Sequence, residues 1–126
     1  MTVDGDLEQA IRRSWSADTT VDHDWTPQLA SKGQCAVTAL VVQDYLGGDL
    51  LRASVGEVTH YWNRLPDGTI LDLTRDQFRS FDPGRIEPRS REYILSYPAT
   101  AARYRTLAER VRACRPMEPI GASSEK

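Results

Sequence analysis

Leu7, Ile11 and Trp15 fall four residues apart on a polar background. That spacing puts all three on one face of a helix. Asp4 or Asp6 can cap this helix, which is predicted to run to about Trp15. Residues 16–33 lose the periodicity, carry Pro27 and Gly33, and read as a long loop. The densest apolar stretch follows, GQCAVTALVVQDYLGG at 33–48. From Ala36 to Leu46 its apolar residues occupy more than one helical face, so the pattern predicts a buried central helix. Gly47 and Gly48 end it by supplying the left-handed C-cap conformation.

Three strand candidates come next, at 50–55, 59–65 and 69–73, with turns at Val55-Gly56-Glu57 and Pro66-Asp67-Gly68. Thr74-Arg75-Asp76-Gln77 matches a capping box and predicts the start of a short helix. Residues 79–89 hold Pro83, Gly84 and Pro88 and read as loop. A short helix is expected at 90–96, broken by Pro98, and a last helix at 99–114. Tyr104, Leu107, Ala108, Val111 and Cys114 share one face of that helix. Pro116 and Pro119 stop it, and the GASSEK end is expected to fray. The expected fold is α+β: a small antiparallel sheet packed on a central helix, with flanking helices. One domain is expected, with 1–24 an N-terminal helix and loop, 25–115 the core and 116–126 a tail.

Composition narrows the function classes. The chain has 126 residues, is 40% hydrophobic and 27% charged, and carries a net charge of −2. Those values suit an ordinary globular protein and give no electrostatic case for nucleic acid or an acidic membrane. The acidic N-terminus lacks a signal-peptide plan, and no apolar run approaches a membrane span. A cytoplasmic protein is expected, and its two cysteines, Cys35 and Cys114, are expected to be free thiols. His23 and His60 show no zinc-ligand spacing with the cysteines. There is no phosphate loop or dinucleotide fingerprint, so neither metal nor cofactor is expected. The arginines of the last helix read as a solvated face or, secondarily, as a partner-docking surface. The sequence leaves the oligomeric state open.

The chemistry lies in the order Cys35, His60, Asp72. A cysteine in the first turn of a helix faces unpaired N–H groups and the positive end of the macrodipole, which favour the thiolate. Gly33 just before it lets a ligand approach the backbone, and the same N–H groups can donate to an oxyanion. Taken alone, Cys35 is also read as a small buried side chain. Cys114 sits at a helix C-terminus on the expected core face and reads as structural. On the strand HYWNRL, His60, Trp62 and Arg64 share one face, and Tyr61 and Asn63 the other. If Pro66-Asp67-Gly68 is a three-residue loop, Trp62 opposes Asp72, and Asp72 becomes the diagonal neighbour of His60. If the loop is only Asp67-Gly68, Asp72 falls opposite Asn63 and the couple is lost. Gln28 and Gln34 are candidate oxyanion donors, and Trp62 and Asn63 candidate substrate contacts.

The runs GQCAVTALVVQDYLGGDLLRA, HYWNRLPDGTILDLTRDQF and TAARYRTLAERVRAC resemble the small bacterial YunG-like family, over most of the chain from Trp25 to Cys114. More distantly, a cysteine helix followed by a histidine strand and an aspartate is similar to the papain-like, transglutaminase-like core. That resemblance implies Cys35 as nucleophile, His60 as general base and Asp72 as orienting residue. Gln28 matches the upstream papain-type glutamine by distance. The expected activity is thiol-dependent hydrolysis or acyl/amide transfer on a small amide or peptide. The alternative is a non-catalytic binding module that keeps the cleft.

Overall fold

A computed structural model describes residues 5–115; the Asp4 cap and the tail from residue 116 fall outside the described residues. Helix α1 is Gly5–Ser14, α2 is Cys35–Leu46, α3 is Arg91–Leu95 and α4 is Pro98–Cys114. Strands are β1 at Asp49–Val55, β2 at Val58–Arg64, β3 at Ile70–Leu71 and β4 at Glu87–Arg89, with 3-10 turns at Pro27–Leu29 and Arg75–Gln77. The sheet order is β3-β2-β1-β4, and every pairing is antiparallel. The architecture is therefore α+β, as the pattern predicts.

Helix α2 lies at the centre because it is apolar nearly all round. Val37, Val41 and Val42 meet Leu7, Ile11 and Trp15 of the N-terminal segment and Leu107 and Val111 of α4. Ala39 and Leu40 meet Leu50 of β1 and Ile94 of α3. The opposite sheet face carries Leu51, Ala53 and Trp62, against which Phe81 packs. Arg91 ties the layers together. It donates to Gln43 at 2.8 Å and to Asp44 at the end of α2, and also to Tyr104 of α4. Burial first, then the hydrogen bond to Asp44, push the Tyr104 hydroxyl up to about 12.

The differences from expectation have local causes. Asp6 lies inside the first turn of α1 and does not precede it as a cap. Strand β3 is two residues long where five were expected, because the chain turns away at Asp72. Strand β4 falls in the predicted loop. Its sequence, Glu-Pro-Arg, has no alternation, and an edge position tolerates the proline that a central strand excludes. Pro98 opens α4 instead of breaking a helix, since a first-turn residue needs no N–H partner. Thr74 makes no cap hydrogen bond with its side chain, which is engaged by Asp72. Cys114 is exposed, because the covered face of α4 ends at Val111. Arg110 is not simply solvated. It donates to Ser14 O at 3.0 Å and Ser16 Oγ at 2.7 Å, fastening α4 to the end of α1.

Among the described residues, no helix is long and apolar enough to cross a membrane.

Candidate active site

The site forms where α2 begins. Residues 16–34, although irregular, are held in place from within and from outside. Thr20 Oγ1 donates to Lys32 O at 2.7 Å, Val21 N–H to Gly33 O at 3.1 Å, and Gly33 N–H to Gln77 Oε1 at 3.2 Å. Gly33 has φ +74°, and a Cβ there would strike Thr20 Oγ1 and the backbone of Asp22. Only glycine fits both the backbone angle and the space. The next residues, Gln34 and Cys35, start the helix with Gln34 at the cap position. First-turn N–H groups of a helix have no intrahelical acceptor and point towards whatever lies before it.

His60 comes to this place on β2. The loop at Pro66-Asp67-Gly68 has three residues: Leu65 N–H donates to Thr69 O at 2.8 Å, and Asn63 pairs with Leu71. Continued by one residue, this register sets Asp72 beside Trp62 and diagonal to His60. His60 Nε2 donates to Asp72 Oδ2 at 2.6 Å, with the imidazole wholly buried and the carboxylate 12% exposed. The other carboxylate oxygen, Oδ1, accepts from Thr74 N–H at 3.2 Å and Thr74 O–H at 3.3 Å. Asp72 is thus oriented from behind, as an Asx-type turn does. The ring stacks on Trp62 at 5.4 Å and takes Phe78 edge-on at 4.7 Å. Three contacts of different geometry leave the imidazole little freedom to rotate.

With Nε2 on Asp72, Nδ1 is the nitrogen left for Cys35. It has no aligned hydrogen-bond partner, and Cys35 Sγ donates instead to Thr59 O at 3.6 Å. Burial by itself pushes the imidazole down. The hydrogen bond to Asp72 opposes it, followed by the influence of the nearby Cys35 side chain and the charge of Asp72. Together they raise His60 to about 9. The ring therefore holds a proton at neutral pH. Catalytic contacts are commonly this loose before a ligand tightens them.

The remaining sequence candidates are placed elsewhere. Gln34 is buried, and its Nε2 donates to Ser16 O at 3.2 Å, tying its amide to the N-terminal loop. Gln28 is exposed on the Pro27–Leu29 turn and does not line the cleft described below. Asn63 is buried beneath α2 and donates to Ala39 O at 3.0 Å, a packing role on the sheet face away from His60. Trp62 is buried and forms the wall on which His60 stacks. Side-chain direction decides each of these, and spacing alone does not encode it.

A cleft of about 430 Å³ is lined by Val21, His23, Lys32, Gly33, Val58, Gln77 and Phe78 among others; it reaches the site through Phe78, whose ring meets His60, and Cys35 does not line it. Thr74 and Gln77 entered the sequence reading only as the ends of a capping box, and Phe78 not at all. Asp-x-Thr is an available signal for Thr74; the other two come close only through the chain reversal after β3. Among the described residues no three His, Cys, Asp or Glu side chains gather as a metal site.

The family model described as YunG protein matches residues 4–115. A Bacillus subtilis (strain 168) protein described as "Uncharacterized protein YunG" is 38% identical over 86 residues, which is 68% of this chain and 72% of that protein. No solved structure gives a significant match.

Proposed function

We propose that this chain, which belongs to the YunG family, is a thiol-dependent hydrolase or acyl/amide transferase acting on a small amide, a peptide end or a glutamine-like side chain. One observation carries the reading: His60 is clamped to Asp72 through Nε2, with Nδ1 left for a cysteine at the start of a helix. Such a site matches the papain-like, transglutaminase-like enzymes in the order of its parts, a cysteine helix, a histidine strand and an aspartate. That likeness rests on this order alone.

In the proposed cycle the proton on His60 Nδ1 is the one given up by Cys35, and Sγ attacks the carbonyl carbon as the thiolate of that ion pair, forming a C–S bond. First-turn N–H groups of α2 receive the oxyanion. The C–N bond then breaks, and the imidazolium gives its proton to the departing amine. Water or a second amine attacks the thioester with His60 as base, the C–S bond breaks, and the thiol is restored. Asp72 stabilises the imidazolium and fixes the ring without taking its proton.

A test is turnover of p-nitrophenyl acetate, read by nitrophenolate release. The expected result is a burst followed by steady turnover. Cys35→Ala abolishes both, and His60→Ala slows deacylation by about 100-fold or more. Equal turnover by Cys35→Ala would remove the proposal. A second reading, a binding module that keeps the cleft, is favoured by one contact: the thiol donates to Thr59 O and not to His60. Stoichiometric acylation of Cys35 with no turnover is its signature.

A further inference from the structure

A second group of side chains, on β1, β2 and the α3 region, is not used by the proposed chemistry. Tyr61 is two residues along β2 from Thr59, the residue whose carbonyl accepts from Cys35. It shares its sheet face with Asn63 and packs with Ala36 and Leu95 against the cluster of Ala39, Leu40, Leu50 and Ile94. Arg52 of β1 is its direct cross-strand partner. Arg89, two residues along β4 from the partner of Arg52, lies over the ring of Tyr93, and Tyr93 and Tyr97 have their rings edge-on at 5.8 Å and hydroxyls 3.4 Å apart. Tyr97 is 53% and Tyr93 39% exposed.

Arg52 is set apart from the arginines around it. Glu87 sits opposite it on β4 but is engaged by Arg85 at 3.4 Å and Arg89 at 2.8 Å. Arg89 also lies over the Tyr93 ring at 5.5 Å. Among the described residues Arg52 has no carboxylate within ion-pair distance, and its Nε is buried without a hydrogen-bond partner. Its charge, shared with the neighbouring Tyr61 hydroxyl, has no carboxylate beside it, and a carboxylate meeting the terminal nitrogens is the group that completes the pair most directly. The arrangement is consistent electrostatically. The hydrogen bond with Tyr97 lowers Tyr93 first and the charges of Arg52 and Arg89 add to it, while burial raises Tyr61 against the opposing charge of Arg52.

We propose that Arg52, with the hydroxyls of Tyr93 and Tyr97, is a subsite for a carboxylate on the molecule whose carbonyl meets Cys35. The inference rests on the site proposed above and narrows its substrates to amides that also bear a free carboxylate, such as a peptide C-terminus or an acidic side chain. A planar guanidinium suits a singly charged planar anion, and Tyr61 faces Arg52 in register two residues from the Thr59 carbonyl that meets Cys35.

The test is NMR titration of the intact chain with N-acetylglycine and with N-acetylglycinamide, following the Tyr61, Tyr93 and Tyr97 ring signals. The acid is expected to shift all three and to bind about tenfold or more tightly than the amide. Arg52→Gln removes that preference without altering amide binding. Tyr97→Phe, an exposed change that leaves folding untouched, weakens the acid alone. Equal binding of acid and amide, or a preference that survives Arg52→Gln, overturns the subsite. Thiol reactivity is a separate readout. Loss of acid preference with a His60-dependent Cys35 discards the subsite and keeps the catalytic reading. Acid preference with an inert Cys35 keeps the subsite as a binding site and discards the catalysis.

Discussion

At the residue scale the account turns on His60. A buried imidazole should lose its proton easily, yet this ring is raised to about 9 because Asp72 and Cys35 outweigh desolvation. The sign is definite: a ring raised above its ordinary 6.5 favours folding while protonated. That contribution is complete below about pH 6.5 and fades as the pH rises through about 9. Asp72→Asn keeps the shape and removes the charge, so burial should then dominate. The His60 ring signal in an NMR pH titration is expected to move its midpoint down by more than one unit. An unchanged midpoint would mean that Asp72 does not govern the ring. Cys35, His60 and the alternatives for Asp72 were legible in the sequence, since they follow from helix start, strand alternation and loop length. Gln34 and Asn63 were not. Both are polar and near the thiol in sequence or on its strand, but their amides turn to Ser16 O and Ala39 O.

At the scale of elements, the site depends on two joints. One is the three-residue turn that sets the β2–β3 register; a single slip would move Asp72 to the other sheet face. The other is the entry to α2, where Gly33 with φ +74° has Thr20 and Asp22 against it. Gly33→Ala is expected to lower stability by more than about 1 kcal/mol in urea unfolding, because strain and collision add to each other. It should also change the Cys35 labelling rate, because residues 16–34 must shift to admit the methyl. A stable variant with unaltered labelling would show that this loop does not position the thiol. The sequence revealed the glycine but not its neighbours, which are brought in by hydrogen bonds within an aperiodic stretch. Strand β4 was hidden for a related reason: its pairing with β1 sets it, not its own pattern.

At the scale of the whole molecule, periodicity was enough to reveal the α+β plan and the buried α2. The apolar content of that helix forces other elements to surround it. Periodicity did not reveal that Gln77 and Phe78 return to Gly33 and His60, or that Cys114 emerges into solvent. Long-range chain reversals decide both. The exposed Cys114 also sharpens the decisive comparison, because it reports an accessible thiol in the same molecule. The most direct measurement is the rate of iodoacetamide alkylation at each cysteine between about pH 6 and about pH 9, followed by mass spectrometry of the labelled peptides. An ordinary thiol slows about tenfold for each unit that the pH falls below about 8.5. The account predicts that Cys114 follows this slope, that Cys35 keeps its rate into the acidic range despite its burial, and that His60→Ala abolishes the difference. A Cys35 profile parallel to that of Cys114, or one indifferent to His60→Ala, would contradict it.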